Sequence, residues 1–136
     1  DWVSKTEPNR PDIVIDDVKL FWNRSAIDWV NSKTSRDEVG SIHTIQGYDL
    51  NYAGVIIGRD IGYDEEKDKV FFRRENYFDK KGKENNPRLG INFSDSDLFE
   101  YVMNVYRVLM SRGIIGTYVF IHDSKLRKKL RGFLAS

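Results

Sequence analysis

Short apolar runs separated by polar stretches organise the first part of the chain. Residues 12–15 and 18–22 are β-rich and are separated by two aspartates, which predicts a β-hairpin. Residues 25–35 are mixed and polar, a pattern typical of a loop with one helical turn. Residues 38–44 predict a short strand, and residues 46–50 predict the turn that follows it.

The middle of the chain has one longer apolar run and one strongly polar segment. Residues 53–58 are apolar at consecutive positions, which favours a central parallel strand buried on both faces. The chain then becomes polar, and residues 62–63 and 70–72 flank a charged turn, which predicts a second hairpin. Residues 80–87 are rich in lysine, asparagine and glycine and predict a mobile surface loop.

Two helices and one strand complete the pattern. Ser94 opens a Ser-Asp-Ser-Asp cluster with the chemistry of a helix N-terminus, and this helix is predicted to end near Gly113. Apolar residues recur along one face at spacings of three and four: Leu98, Tyr101, Val102, Val105, Val108 and Leu109. Residues 114–121 predict a strand, and Asp123 or Ser124 can cap a final basic helix.

The order of these elements predicts the fold class. Strand, turn, strand, helix, strand and helix in the second half indicate an α/β fold with a mainly parallel sheet, flanking helices and an inserted β-hairpin. A length of 136 residues suits one domain. Ligands of such sheets bind beyond the carboxyl ends of the strands, so we expect a binding site there.

Composition excludes several classes of function. Lysine and arginine number 22 against 21 aspartates and glutamates, so the net charge of +1 does not favour a generally basic nucleic-acid binder. The absence of cysteine excludes disulfides and thiol catalysis and favours a reducing compartment. With two histidines and no cysteine, the sequence predicts no metal site.

The apolar runs and the first residue bear on location and completeness. No run approaches the ~20 residues that cross a bilayer, so we expect a cytoplasmic protein that makes no membrane contact. The first residue is Asp1 rather than methionine, which predicts a fragment of a longer polypeptide.

Two segments resemble sequence motifs of superfamily 1 helicases. Residues 42–50, Ile-His-Thr-Ile-Gln-Gly-Tyr-Asp-Leu, followed by an apolar strand at 54–57, resemble motif V. Residues 105–113, Val-Tyr-Arg-Val-Leu-Met-Ser-Arg-Gly, followed by a strand at 117–120, resemble motif VI. Over nearly its whole length the chain resembles the family called Schlafen group 3, DNA/RNA helicase domain.

The resemblance implies that residues 1–136 are a truncated second RecA-like domain of the P-loop NTPase fold. The phosphate-binding pattern Gly-x-x-x-x-Gly-Lys-Ser/Thr and an acidic Walker B strand are absent from the sequence. We therefore expect no cofactor on this chain alone. In the longer protein, ATP and Mg²⁺ would bind between this domain and an N-terminal RecA-like domain.

Arg112 is the catalytic candidate, because in motif VI the arginine after the small hydroxyl residue is the arginine finger. Alternatively, Arg112 is a helix-end arginine that bonds the last carbonyls and favours the helix dipole. Arg107 lies five residues earlier and on another side of the helix, so we interpret it as a solvated or packing residue.

Three residues of motif V are candidates for contact with the nucleotide. By resemblance, Gln46 and Gly47 lie where the turn approaches the nucleotide and the bound strand, and a glycine lets the backbone come close. An ordinary tight turn is the alternative. Asp49 can accept hydrogen bonds from a ribose or from Gln46, or it can cap a short helix at 49–53.

Three further residues are weaker candidates for contact with nucleic acid. His43 and Thr44 can touch phosphate, or they can order the turn as structural residues. Lys128 belongs to the basic run at 125–131, which can meet phosphates or form a solvated face.

Three hypotheses of function follow. The first is a helicase- or translocase-like ATPase acting on DNA or RNA. The second is an NTP-hydrolysing defence or signalling switch that unwinds nothing. The third is a non-enzymatic binding module. A sheet that has lost strands also exposes edges and apolar surface, so the fragment is expected to associate with copies of itself.

Overall fold

The computed structural model describes residues 2–25, 27–78 and 92–135. The chain divides into two compact units, Asp1–Tyr48 and Asp49–Ser136, and each is considered by itself. The prediction that residues 1–136 form a single truncated domain stays a prediction. The loop predicted at residues 80–87 lies outside the described residues.

The first unit is built on a small three-stranded sheet. Strands β1 (Ile13–Ile15) and β2 (Val18–Trp22) pair antiparallel, which confirms the first hairpin. Strand β3 (Glu38–Val39) pairs parallel with β2. A 3₁₀ turn at Trp29–Asn31 confirms the helical turn predicted in the preceding loop, and 3₁₀ turns also form at Val3–Lys5 and Ser35–Asp37. The strand predicted at 38–44 is wrong beyond Val39, because helix α1 (Ile42–Ile45) follows.

Two carboxylates tie the first unit together by accepting backbone and indole hydrogen bonds. Asp12 accepts from the amides of Ser4 at 2.9 Å and Trp22 at 2.8 Å. Glu38 is 6% exposed and accepts from the amide of Arg24 and the indole of Trp29, both at 2.8 Å. Each of these charge-assisted hydrogen bonds joins the carboxylate to a residue in another segment of the chain.

The second unit contains a parallel strand pair and an antiparallel hairpin. Strands β4 (Leu50–Ile57) and β7 (Gly113–Ile121) pair parallel. Strands β5 (Ile61–Asp64) and β6 (Lys69–Phe72) pair antiparallel and confirm the inserted hairpin. A 3₁₀ turn follows at Arg74–Asn76. In the described ranges β4 lies in a two-stranded sheet with β7, without the second neighbour expected of a central strand.

The described strands therefore form three small sheets, with two parallel and two antiparallel pairings. This confirms the α/β class and the flanking helices, and it shows smaller sheets than the single mainly parallel sheet that the element order predicts. The helices are α2 (Asp95–Met110) and α3 (Ser124–Leu134).

Helix α2 begins and packs through residues that sequence could only partly identify. The Ser94 hydroxyl accepts from the Asp97 amide while the Asp97 carboxylate accepts from the Ser94 amide, which is a reciprocal cap. Leu98 and Val102 are the most buried side chains of the helix. Tyr101 and Val108, predicted on the buried face, are each 40% exposed. The residues that instead pack on the core are Phe99, Met103 and Tyr106.

One face of the β4–β7 sheet supplies the core of the second unit. Ile57 and Ile121 pack with Val102 of α2 and Leu126 of α3. On the opposite face Tyr52 is 57% exposed and Tyr118 is 72% exposed, with their ring centroids 6.2 Å apart. The sheet thus buries one face and presents an aromatic second face.

Candidate functional site

The segments that resemble motifs V and VI meet through Leu50 and Arg112, at the edge of the sheet where strands β4 and β7 begin. The register pairs Leu50 with Gly113, and the amide of Leu50 donates to the carbonyl of Arg112 at 2.9 Å. This bond holds together the residues that immediately precede the two strands. The candidate residues therefore lie at the amino ends of the parallel strands, whereas the fold class led us to expect the carboxyl ends.

Arg112 lies just beyond the end of α2, and its guanidinium contacts three groups among the described residues. Its Nε donates to the carbonyl of Val108 at 3.2 Å, and its Nη2 donates to the Ser111 hydroxyl at 3.2 Å. Its Nη1 lies 3.6 Å from a carboxylate oxygen of Asp49. The hydrogen bond to the Val108 carbonyl, in the last turn of α2, is the helix-end interaction that the sequence left as an alternative. A positive charge at this position interacts favourably with the helix dipole.

The pairing of Asp49 with Arg112 is a surface ion pair. The side chain of Asp49 is 72% exposed and that of Arg112 is 25% exposed. Solvent screening limits such a pair to about 0–1 kcal/mol, so it orients the arginine without fixing it. The alternative that Asp49 caps a helix at 49–53 is wrong, because strand β4 begins at Leu50.

A glycine after Arg112 makes the sharp passage from α2 to β7. A Cβ at Gly113 would lie 2.2 Å from the carbonyl oxygen of Gly116, so a side chain cannot fit at this position. The hydroxyl of Thr117 donates to the carbonyl of Met110 at 2.9 Å and satisfies the end of the helix. Arg112 is therefore held at a corner between a helix end and a strand start.

The motif V turn in the first unit is a short helix held by a side chain from earlier in the chain. The carboxamide oxygen of Asn23 accepts from the amide of Ser41 at 3.3 Å and from the Thr44 hydroxyl at 2.8 Å. Thr44 also bonds the carbonyl of Ser41 at 2.9 Å. These contacts give Thr44 a structural role in ordering the turn, whereas the side chain of His43 is exposed.

Gln46 and Gly47 follow this helix and are both exposed. Gly47 has φ of +90°, a conformation that glycine adopts without strain. A Cβ at this position would meet nothing within 4 Å. The glycine is therefore required by the backbone conformation of the turn rather than by crowding in the present structure.

The structure thus brings together Asp49 and Arg112, while Lys128 lies on α3, exposed beside a cavity. His43, Thr44, Gln46 and Gly47 belong to the first unit. Among the described residues no group of three histidines, aspartates or glutamates is arranged to hold a metal ion. The guanidinium of Arg112 has the chemistry to bond a phosphate oxygen, but the single carboxylate of Asp49 is far from the set of oxygen ligands that Mg²⁺ requires.

A buried polar pair at the other end of β4 was not identified from sequence. Asp60 is 7% exposed and accepts from the hydroxyl of Tyr106, which also accepts from the amide of Gly58 at 3.2 Å. Burial raises the pKa of Asp60, and burial and the nearby Asp60 carboxylate raise the pKa of Tyr106. The available signals were a tyrosine inside motif VI and an aspartate directly beyond an apolar strand.

Comparison with known proteins identifies the class of domain. Residues 1–123 match the family described as Schlafen group 3, DNA/RNA helicase domain. The chain belongs to this family and is a helicase-like domain. It is 41% identical over 119 residues to a protein of Saccharomyces cerevisiae (strain ATCC 204508 / S288c) that carries the name Uncharacterized protein YPL245W. This match covers 85% of the chain and 26% of the yeast protein, so the chain spans about a quarter of that relative.

No solved structure matches the chain. None of the helices in residues 2–25, 27–78 and 92–135 is both long enough and apolar enough to cross a bilayer. The family assignment therefore depends on sequence, and the geometry comes from the present structure.

Proposed function

We propose that this chain supplies the motif V turn and an arginine finger to the ATP site of a helicase- or translocase-like ATPase. In this proposal the chain is part of a second RecA-like domain. ATP and Mg²⁺ bind between it and an N-terminal RecA-like domain of the same polypeptide, and DNA or RNA is the strand that the enzyme acts on.

The observation that supports this proposal is the convergence of Asp49 and Arg112 at one edge of the β4–β7 sheet. Asp49 and Arg112 are 63 positions apart in the sequence, and strand pairing between Leu50 and Gly113 joins the segments that carry them. The fold thus brings one charged residue from each motif-like segment to within 3.6 Å of the other, as a shared site requires. 

The guanidinium of Arg112 has the chemistry that a transferred γ-phosphoryl group requires. Negative charge spreads over the equatorial phosphoryl oxygens in the transition state, and a planar guanidinium can bond two of them. The contacts that hold Arg112 now are weak by comparison. A neutral hydrogen bond contributes about 0.5–1.5 kcal/mol and an exposed ion pair about 0–1 kcal/mol. A 10³-fold acceleration corresponds to roughly 4 kcal/mol. Contacts with the phosphoryl group can therefore replace the present contacts of Arg112 with a net gain in free energy.

The remaining candidates have distinct places in the proposal. Gln46 and Gly47 approach the nucleotide, and Asp49 accepts from its ribose or orients Arg112. His43 and Lys128 meet the nucleic-acid strand, while Thr44 shapes the turn through Asn23 and Ser41. The phosphate-binding loop and the Mg²⁺ ligands come from the partner domain.

The test is ATP turnover by the full-length protein, with and without single-stranded DNA or RNA. Arg112→Ala is expected to lower kcat by about 10³-fold or more with little effect on folding. Arg107→Ala is the matched control, because Arg107 is exposed on α2 and bonds only Asn104 at 2.8 Å among the described residues. Turnover of the control should stay within twofold of wild type, about the ±0.5 kcal/mol of an ordinary surface change.

The outcomes separate the three hypotheses of function. Strand-stimulated turnover that is lost in Arg112→Ala supports the helicase-like ATPase. Unstimulated turnover with the same loss supports a switch that does not act on nucleic acid. Turnover that is equal in Arg112→Ala and Arg107→Ala makes Arg112 a helix-end residue and favours a non-enzymatic binding module.

A further inference from the structure

Helix α3 has a lysine face of which the motif-based proposal uses only Lys128. Lys125, Lys128 and Lys129 occur at positions i, i+3 and i+4, so they share one side of the helix. No acidic residue occurs within α3. The three lysines line a cavity of about 520 Å³ together with Tyr63, Glu65, Gly132 and Phe133.

The acidic turn of the β5–β6 hairpin lies against this lysine face. Lys125 is 3.3 Å from Glu65, and Lys129 is 2.7 Å from Asp68. Asp68 also accepts a hydrogen bond from the hydroxyl of Tyr63. The carboxylates of Glu65 and Asp68 in this turn thus neutralise two of the three lysines.

Lys128 has no such partner among the described residues and remains exposed between the two ion pairs. The side chains of the ion pairs are between 48% and 68% exposed. Solvent screens exposed pairs of this kind, so a second anion can displace the acidic turn at low cost.

The surroundings of the lysines favour nucleic acid as that anion. A phosphate backbone presents a dense row of charges and gains free energy by releasing bound counterions when lysines neutralise it. Phe133 borders the same cavity and is 75% exposed, which adds an aromatic surface on which a base can stack. An acidic peptide would use the lysines but would not need the aromatic ring.

We propose that the lysine face of α3 binds the phosphate backbone of single-stranded nucleic acid, and that Glu65 and Asp68 of the hairpin turn compete with it for the lysines. The hairpin is then an internal inhibitor of strand binding. This inference rests on the nucleic-acid partner in the proposed function, but not on ATP hydrolysis or on Arg112.

The experiment measures binding of a fluorescein-labelled oligothymidylate of about 20 nucleotides to the full-length protein without nucleotide, at low and at physiological salt. Glu65→Gln with Asp68→Asn is the test variant. Asp68 has φ of +48°, which asparagine tolerates, so the turn should keep its conformation. Glu7→Gln with Asp17→Asn is the matched control, because it makes the same change of charge at exposed positions of the first unit.

The test variant is expected to bind about three- to tenfold more tightly than the control at low salt, and this gain should shrink at physiological salt. Changing Lys125, Lys128 and Lys129 to alanine in the test variant should remove the gain and reduce the salt slope by about 0.7 per lysine. A thermal melt of each variant shows whether it is folded.

Three results would overturn the inference: equal affinity of test variant and control, a gain that survives loss of the lysines, or no binding by any variant. The Arg112 experiment is independent of all three. If ATP turnover is normal but the substitutions in the acidic turn do not change oligothymidylate affinity, only this inference is wrong. If the affinity changes as expected but the protein does not turn over ATP, only the ATPase proposal is wrong.

Discussion

The hydroxyl of Tyr106 lies 3.2 Å from both carboxylate oxygens of Asp60, and the two residues are 46 positions apart in the sequence. The same hydroxyl accepts a hydrogen bond from the amide of Gly58 at 3.2 Å. The pair joins helix α2 to the segment that leads from β4 into the hairpin, and Tyr106 packs against the hydrophobic core of the second unit.

Loss of the Tyr106 hydroxyl should destabilise the chain. Tyr106→Phe leaves a buried carboxylate and a backbone amide without their partner, at an expected cost of about 1–3 kcal/mol in the free energy of unfolding. Urea denaturation measures it. Tyr101→Phe on the exposed side of the same helix should change stability by less than about 0.5 kcal/mol. Equal effects of the two substitutions would show that the bond to Asp60 contributes nothing.

Asp60 should make the chain less stable as the pH rises. Because burial raises its pKa, the folded state holds the proton more tightly than the unfolded state, whose aspartates titrate near 3.8. The stabilisation by the protonated form is complete below that value and is lost as the pH rises through the raised folded pKa.

Asp60→Asn removes this titration, so we expect wild type to lose stability relative to the variant between pH 4 and the raised pKa. Unfolding free energies of both proteins over about pH 4 to 7 give the difference, in which the shared titrations cancel. A difference that does not vary with pH would contradict the assigned cause.

Glu38 should show the opposite dependence. Burial alone would raise its pKa, but the hydrogen bonds that the carboxylate accepts, including those from the Arg24 amide and the Trp29 indole, outweigh this and lower the pKa below the ordinary 4.5. The stabilisation by ionised Glu38 is therefore present above 4.5 and is lost as the pH falls through the folded pKa. Glu38→Gln should cost about 1–3 kcal/mol at pH 7 and less at pH 3, by the same denaturation measurement. The exposed substitution Glu7→Gln should have no such cost.

Two glycines should respond to alanine in opposite directions. Gly47→Ala places a Cβ on a residue with φ of +90°, at an expected cost of about 1 kcal/mol or more. Gly132→Ala lies within α3, where a Cβ meets nothing within 4 Å, and should stabilise the chain by up to about 1 kcal/mol. Thermal melts of the two variants, taken side by side, are sufficient. A change of melting temperature in the same direction in both variants would contradict these predictions.

The isolated 136-residue chain should associate with copies of itself. The aromatic face of the β4–β7 sheet, with Tyr118 72% exposed, is the surface expected to pair. Light scattering over a range of concentrations should show an average mass above 15.9 kDa that falls in Tyr118→Lys. Val14→Lys, a 60% exposed apolar position in the first unit, is the control. A monomeric wild-type chain would rule out the association.

Sequence predicts the features that depend on neighbouring residues. The two hairpins, the Ser94 cap and the Asp123 cap of α3, whose carboxylate accepts from the Leu126 amide at 2.9 Å, each form within a few residues. Features that depend on distant residues were missed. Residues 42–45 form a helix with the help of Asn23, which bonds across 18 and 21 positions.

The candidate site divides in the same way. The motif pattern selected Arg112 and Asp49, and the structure shows their contact. The motif pattern could not select Asp60. An aspartate after a strand is common at surfaces, and only the folded structure shows that this one is buried against Tyr106. Nor could the sequence pattern select Phe99, Met103 and Tyr106 of α2, which pack on the core although they lie off the predicted face.

The closeness of Gly113 to the Gly116 carbonyl also affects how variation in this family can be interpreted. In a saturation mutagenesis screen scored by activity, position 113 would rank with the most sensitive positions, although it has no functional group to offer. Position 116 should be more tolerant, because a Cβ there would make only an ordinary contact of 3.6 Å with Tyr52. Sensitivity at position 113 therefore reflects the backbone corner that holds Arg112 and is not evidence of a chemical role for the glycine.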